Sequence, residues 1–219
     1  MELFHALNRG VDKRTIFLDN QDRARFVHDM YEFNDTKLAS NTRRNAAPMF
    51  GLRNRTLERE IIVDIHGWCL MDNHYHLLLS ERVENGISFF LRKLNVGYAN
   101  YFNERYKRQG TLFQGRTKKI HVNSEAYFLH ILNYIHLNPL DLRRDCKNWR
   151  LGHIRGADAA LTHLEKYRWS SYRDYCGKKN FPSILTKDLF SSVFKDYQRE
   201  VREHLRSIDL TTVKPFLLE

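Results

Sequence analysis

The segment from residue 60 to residue 80 constrains the fold of this chain more than any other. Residues 60–71 are rich in β-branched and aromatic side chains, which favour strands, and they end at the turn-forming pair Asp72-Asn73. The strand pattern resumes at once over residues 74–80, with the sequence HYHLLLS. Because strands joined by so short a turn run antiparallel, the segment predicts a β-hairpin.

Five further elements flank this hairpin. They are a strand in FHALNRGV, a helix over 20–33, a helix over 87–106, a strand within 110–122, and a helix over 124–138 that Pro139 stops. This order predicts an α+β fold: a ferredoxin-like or RRM-like antiparallel sheet with helices on one face. We expect the other sheet face to stay open for a ligand. We expect residues 1–139 to form one domain, and residues 140–219 to form a mostly helical C-terminal extension packed on it.

The composition narrows the classes of function. Lys and Arg number 36 against 26 Asp and Glu, so the net charge is +10, which favours a polyanionic partner such as nucleic acid. No apolar run is long enough to span a membrane, and the first residues lack the apolar core of a signal peptide. The widely spaced Cys69, Cys146 and Cys176 argue against disulfides and against a cysteine zinc site. We therefore expect a cytoplasmic, nucleoid-associated protein.

His74 and His76 are the first candidate site. Side chains two apart on a strand project from the same face, so both imidazoles point the same way. Two such imidazoles can chelate one divalent ion. The alternative is that the pair arises by chance or serves packing.

The helix over 124–138 supplies the second candidate site. At 100° per residue, Tyr127, His130 and Asn138 lie on the same edge of the helix as Tyr134, beside an apolar stripe that would face the core. His130 could orient a phosphate or the phenol as an auxiliary residue. The alternative is that Tyr134 caps the core and that Asn138 simply ends the helix before Pro139.

Basic residues interleaved with aromatic residues predict contacts to single-stranded nucleic acid. The first group is Arg105, Lys107, Arg108, Arg116, Lys118 and Lys119. The second group is Arg143, Arg144, Lys147, Arg150 and Arg155, and a polar loop adds Arg43, Arg44, Arg53 and Arg55. In the alternative interpretation, about half of the first group and its aromatic neighbours form a solvated helix end and core.

Several blocks of sequence, in order, resemble the HUH-type single-tyrosine transposases, with the likeness closest to the REP-associated tyrosine transposases. The blocks are FHALNRGVDKRTIF, GWCLMDNHYHLLLS, YANYFNERYKRQGTLFQGRTKK, AYFLHILNYIHLNPL and YRWSSYRDYCG. They cover residues 3–177. An HUH pair alone is a weak signal, whereas five blocks in the same order are a strong one.

The resemblance implies a metal-dependent transposase and endonuclease that cuts and rejoins single-stranded or hairpin DNA through a 5′-phosphotyrosine. It implies that Tyr134 is the nucleophile and that His74, His76 and Asn138 hold Mg²⁺ or Mn²⁺. Asp72 stands where such proteins usually have proline, and it could add a carboxylate beside the metal. Thr117 replaces an aromatic residue, which removes an expected base-stacking contact.

Two alternative functions and the oligomeric state stay open at this point. The chain could be a non-catalytic reader of hairpin DNA or RNA on the same fold, or a metal-dependent hydrolase that uses water in place of a tyrosine. Its oligomeric state could be a monomer or a homodimer.

Overall fold

The computed structural model describes residues 1–37, 59–146, 148–151, 154 and 156–206. Its strands are β1 (Leu3–Arg9), β2 (Val63–Leu70), β3 (His74–Glu81) and β4 (Lys118–His121). The helices that pack on the sheet are α1 (Asn20–Glu32), α2 (Gly86–Arg105) and α3 (Glu125–Leu137). Across these described ranges, no helix has both the length and the apolar character that crossing a bilayer would take.

The four strands form one antiparallel sheet in the order β2-β3-β1-β4. With α1 between β1 and β2, and α2 between β3 and β4, this is the ferredoxin-like arrangement, so the predicted fold class is confirmed. The predicted hairpin is also present, with Cys69 opposite His76 and Leu70 opposite Tyr75. Its turn is closed by a hydrogen bond from the Met71 amide to the His74 carbonyl.

One face of the sheet carries the larger hydrophobic cluster. Alternate residues of β3, Tyr75 and Leu77 among them, pack against Phe26 and Met30 of α1 and Tyr98 of α2. The period-2 pattern of the strand and the helical spacing of the apolar residues thus meet on this side. This face lies behind the candidate site and gives the strands a rigid support.

The second face of the sheet is covered, so the expectation of an open face is wrong. Leu78 of β3 and Cys69 of β2 belong to a second hydrophobic cluster with Ile131 and Leu132 of α3. The helix approaches closely at Gly67, where a β-carbon would lie 2.7 Å from the Leu132 Cδ1 atom. The physical reason is that the apolar stripe of α3 must be buried, and the apolar residues of this face provide the surface.

The C-terminal extension contributes to this second cluster. Its helices are α4 (Ala157–Lys166), α5 (Tyr172–Tyr175), α6 (Asp188–Ser191) and α7 (Tyr197–Arg206). Residues 169–171 run beside β2, where the Ser171 amide donates to the Trp68 carbonyl at 3.0 Å. His136 of α3 joins the extension through Ser171 Oγ at 2.6 Å and the Tyr197 hydroxyl at 2.7 Å. These contacts fix α3 between the sheet and the extension.

Candidate functional site

The two histidines of β3 lie side by side on the covered face of the sheet. The centroids of the His74 and His76 rings are 5.0 Å apart, and the ring planes are nearly perpendicular. Both side chains are buried, His76 completely. The i, i+2 spacing therefore has the consequence expected from strand geometry: two imidazoles share one site.

A carboxamide fixes the orientation of the His74 ring. His74 Nδ1 lies 2.6 Å from Asn73 Oδ1, while Asn73 Nδ2 donates to the Lys13 carbonyl at 3.1 Å. Because a carboxamide oxygen can only accept, His74 Nδ1 carries the proton. A cation bound by this ring would be bound through Nε2.

A second chain of hydrogen bonds holds the His76 ring. Its Nδ1 lies 2.9 Å from Nε2 of His5 on β1, and Nδ1 of His5 lies 3.1 Å from the Tyr127 hydroxyl on α3. His5 was not predicted as a site residue, and no role was predicted for Tyr127. Only the pairing of β1 with β3 brings His5 beside His76, so the available signal was a single histidine within a strand that was already predicted.

Tyr134 lies against this histidine cluster. Its ring centroid is 5.8 Å from that of His76 and 6.0 Å from that of His5, and both contacts are edge-on. The ring centroid of Trp149 lies 5.9 Å from that of Tyr134. The guanidinium carbon of Arg150 lies 5.7 Å from the Tyr134 ring centroid. The side chain is 1% exposed. The structure thus brings Tyr134 to the histidine pair, beneath two side chains of the extension.

Asn138 occupies the end of α3, one turn after Tyr134. Its Nδ2 donates to the Tyr134 carbonyl at 2.8 Å, and its Oδ1 accepts from Arg150 Nη2 at 2.9 Å. Arg150 also forms a bidentate contact at 2.6 Å with the Asp141 carboxylate. The amide oxygen that the sequence predicts as a metal ligand is therefore bonded to a guanidinium group.

The donor set fits a divalent cation at the imidazole pair. The Nδ1 atoms of His74 and His76 are both engaged, so each ring would ligate through Nε2. Among the residues that the structure describes, no group of three His, Cys, Asp or Glu side chains could hold a metal ion. A third protein ligand would therefore be of another type, and Asn138, whose oxygen accepts from Arg150, is the residue that the sequence predicts for this role.

His130 does not join this site. Its ring packs against that of His204 on α7, with the centroids 5.2 Å apart. Burial, together with the neighbouring His130, lowers the pKa of His204 to about 4. The ring contact turns His130 toward the extension, and its auxiliary role stays a prediction.

Asp72 and Thr117, the two residues that depart from the family pattern, both contact other parts of the fold. Asp72 forms an ion pair with Arg23 of α1 at 2.5 Å, so its carboxylate is engaged by that helix. Thr117 Oγ1 accepts hydrogen bonds from Asn8 Nδ2 at 3.2 Å and from Asn95 Nδ2 at 2.8 Å. Both residues therefore help to hold the strands and helices together.

The predicted DNA-binding residues divide into engaged and exposed ones. Arg105 is held by Asp19 and Asp22, each at 2.6 Å, which neutralises its charge and locks α2 to α1. Arg143 pairs with Asp145, so the structure supports neither arginine as a free phosphate contact.

Among the others, Arg108 donates to Asn103 Oδ1 at 2.8 Å and Lys119 to Ser88 Oγ at 2.7 Å. The exposed members are Lys107, Arg116, Lys118, Lys119 and Arg144. The predicted contacts Lys147, Arg155, Arg43, Arg44, Arg53 and Arg55 lie outside the described residues.

Two basic residues lie on the same sheet face as the histidine pair. Lys118 and His76 are both register partners of Leu7, one on each side of β1. Arg9 is the register partner of His74. Directly opposed residues of an antiparallel sheet project from the same face, so both cations share the face of the imidazoles. Arg9 was not among the predicted DNA-binding residues.

The fold and the site together define a class: a ferredoxin-like α+β protein with a histidine pair on an inner strand and a tyrosine on the helix that covers it. Residues 52–138 match the family model described as transposase IS200 like, and this segment contains both histidines, Tyr134 and Asn138. The chain is similar to IS200-like transposases over that segment, which confirms the resemblance predicted from the sequence.

A structural comparison gives one similar solved structure. A solved structure of a REP-associated tyrosine transposase bound to a REP hairpin is 12% identical, covers 86% of this chain and 87% of that chain, and has a TM-score of 0.49. No curated protein sequence matches the chain.

Proposed function

We propose that this chain is a metal-dependent endonuclease and transposase that cuts and rejoins single-stranded DNA, with Tyr134 as the nucleophile. One observation carries the proposal: the Tyr134 ring lies 5.8 Å from the ring of His76, within the segment that matches the transposase family. A tyrosine beside two potential metal ligands suits covalent phosphoryl transfer.

The proposed reaction is a transesterification by the Tyr134 phenol. Tyr134 oxygen attacks the scissile phosphorus, the bond from phosphorus to the 3′ oxygen breaks, and a 5′-phosphotyrosine and a free 3′-hydroxyl result. The proton that the phenol loses is balanced by the proton that the leaving 3′ oxygen gains. Because the phosphodiester bond is conserved as a phosphotyrosine bond, attack by another 3′-hydroxyl rejoins DNA without a nucleotide cofactor.

His74, His76 and Asn138 are the proposed holders of a divalent cation, Mg²⁺ or Mn²⁺. Such an ion would polarise the scissile phosphate and stabilise the charge that develops on it. Asn73 and His5 orient the two imidazoles. Since Asn138 Oδ1 accepts from Arg150, we expect this hydrogen bond to break when the amide becomes a ligand.

Access to Tyr134 requires a rearrangement. The side chain is 1% exposed and is covered by Trp149 and Arg150. A DNA phosphate therefore reaches the phenol only when these side chains yield. Arg150 also holds the Asp141 carboxylate, so it would offer its positive charge to an incoming phosphate only once it leaves both Asn138 and Asp141.

The proposed DNA path follows the basic residues around the site. Lys118 and Arg9 share the face of the histidines, and Lys107, Arg116 and Arg144 are exposed. These cations would track the phosphates of single-stranded or hairpin DNA. The chain would act as a monomer or a homodimer.

The test is to trap the covalent adduct. We expect the protein, incubated with Mn²⁺ and 5′- and 3′-labelled single-stranded or hairpin oligonucleotides, to give a protein–DNA adduct that survives denaturing electrophoresis and carries the 3′ label. Tyr134→Phe abolishes the adduct, whereas Tyr31→Phe, on α1 at the opposite sheet face, retains it. An adduct of undiminished yield with Tyr134→Phe would refute the assignment of the nucleophile.

A non-catalytic reader of hairpin DNA or RNA is the second candidate function. The burial of Tyr134 and the engagement of Asn138 by Arg150 favour it, since both describe a closed site. The same experiment distinguishes the two, because a reader binds the oligonucleotide and gives neither an adduct nor a cut strand. A hydrolase that uses water would cut the strand without an adduct.

A further inference from the structure

We propose that His130 of α3 and His204 of α7 form a binding site for a transition-metal ion such as Zn²⁺. The ion would fasten α7, in the C-terminal extension, to α3, one turn before Tyr134. The site is separate from the histidine pair of β3, and the inference does not depend on the proposed nuclease activity.

The two rings lie side by side between the helices. Their centroids are 5.2 Å apart and their planes are inclined by 45°. An ion about 2.1 Å from one nitrogen of each ring, bound at a tetrahedral angle, would hold the centroids about 5 Å apart. This spacing suits a shared ion, but a hydrogen bond between two rings gives the same spacing, as His5 and His76 show.

A buried nitrogen without a partner in each ring makes this distinction. Within the described part of the chain, His130 Nδ1 and His204 Nε2 are buried and have no hydrogen-bond partner. A buried polar atom without a partner costs free energy, so such an atom in a folded protein calls for an explanation. One ion bound to both nitrogens would satisfy the two atoms at once.

Two contacts fix the register of α7 on α3. His136 Nδ1 lies 2.7 Å from the Tyr197 hydroxyl, and His130 packs on His204 further along the two helices. Since residue numbers rise along α7 as they fall along α3, the helices run antiparallel. The two contacts are about 9 Å apart along α3 and about 10 Å apart along α7. These matching intervals hold both rings in place before an ion binds, so little ordering opposes binding.

The donor chemistry selects the ion. Among the residues that the structure describes, no third His, Cys, Asp or Glu side chain joins the pair. Both side chains are half-buried, so water can complete the coordination. Imidazole nitrogens suit Zn²⁺, Cu²⁺ and Ni²⁺, whereas Mg²⁺ prefers oxygen ligands. We therefore expect the site to bind Zn²⁺ and not Mg²⁺.

The test is a Zn²⁺ titration of the full chain, labelled with ¹⁵N on histidine and followed by nuclear magnetic resonance. His130→Gln and His204→Gln each remove one ligand and assign the two ring signals. His121→Gln, which removes an exposed histidine of β4, is the matched control. Circular dichroism and urea unfolding without metal check that the variants fold.

We expect the signals of His130 and His204 to change along one common binding curve in the wild type and in His121→Gln. In His130→Gln, the His204 signal should need about 100-fold more Zn²⁺, because the second ligand of a chelate binds at a high effective concentration. Mg²⁺ should leave both signals unchanged. Signals resolved by residue keep this response apart from any Zn²⁺ bound at His74 and His76.

Two results of the titration would overturn the inference. The first is a wild type in which neither ring responds at about 1 mM Zn²⁺, because the rings would then only pack against each other. This measurement needs no variant. The second is an unchanged His204 curve in folded His130→Gln, because the ion would then bind a single imidazole.

Urea unfolding gives a second readout. An ion that binds the folded chain raises the urea concentration at the midpoint of unfolding. We expect Zn²⁺ to raise the midpoint less in His130→Gln and in His204→Gln than in the wild type and His121→Gln. An equal rise in all four proteins would also overturn the inference, because an ion that joins α7 to α3 must stabilise the folded chain.

Discussion

Acid should destabilise this protein through one buried histidine of α3, and the effect can be worked out from the structure. His136 is fully buried, and its two nitrogens contact the hydroxyls of Ser171 and Tyr197. Tyrosine rings surround it, among them Tyr172 and Tyr175. Burial without a nearby carboxylate lowers the pKa of His136 to about 3, from an ordinary 6.5.

The sign of the effect follows from the lowered pKa. Above pH 6.5 the ring is neutral in the folded and the unfolded chain, so His136 makes no pH-dependent contribution. Between pH 6.5 and about pH 3 the unfolded chain takes up a proton at His136 that the folded chain does not. The free energy of unfolding therefore falls by about 1.4 kcal/mol per pH unit, which is about 2 kcal/mol at pH 5.

The assay is urea unfolding at pH 7.5 and pH 5.0 for the wild type and for His136→Gln. Glutamine keeps a polar group near Ser171 but does not titrate, and the loss of the Tyr197 partner costs the variant about 1–3 kcal/mol at both pH values. The comparison within each protein removes that constant cost. It also cancels the other histidines with lowered pKa values, His66, His163 and His204, which both proteins share.

We expect the wild type to lose about 2 kcal/mol more than His136→Gln between the two pH values. Equal losses in the two proteins would refute the reasoning, because they would mean that His136 titrates alike in the folded and the unfolded chain.

Two further predictions test how the site is built. Gly67→Ala should destabilise the protein by about 1–3 kcal/mol, because the new methyl group would lie 2.7 Å from Leu132 Cδ1, and Leu132→Ala in the same chain should recover part of that cost. If a double-mutant cycle measured by urea unfolding shows no coupling between Gly67→Ala and Leu132→Ala, this prediction is wrong. Lys118→Gln should lower the salt dependence of hairpin-DNA binding by about one unit of slope, whereas Arg105→Gln should lower stability and leave the slope unchanged. Equal changes in slope would place Arg105 on the DNA surface.

Features with a local cause were predictable from the sequence. The i, i+2 spacing put His74 and His76 on one face, because a strand alternates whatever it pairs with. The 3.6-residue period put Tyr134 and Asn138 one turn apart on α3, and the structure keeps them so. The turn at Asp72 fixed the hairpin before any tertiary contact was considered.

Features that depend on distant partners were not predictable. His5 meets His76 across 71 positions and Tyr127 across 122, so no spacing rule could pair them. The sequence predicted Arg105 to be a free cation because its acidic partner Asp19 lies 86 positions earlier, at the start of another helix. The covering of the second sheet face by α3 was not predictable for the same reason. Periodicity shows that α3 has an apolar stripe, but it does not show which surface buries that stripe.

The interface between α3 and the sheet therefore decides the geometry of the site. Gly67 sets how closely the helix approaches, Tyr127 joins it to His5, and His136 joins it to the extension. An alanine at Gly67 would press on Leu132 Cδ1, and because Leu132 is fully buried we expect α3 to shift and to displace the phenol of Tyr134 relative to the ring of His76, without a change in any residue proposed to contact DNA. We accordingly expect Gly67→Ala to slow adduct formation while hairpin binding is preserved. Parallel loss of both would mean that the substitution acts through unfolding and not through the distance between the nucleophile and the histidine pair.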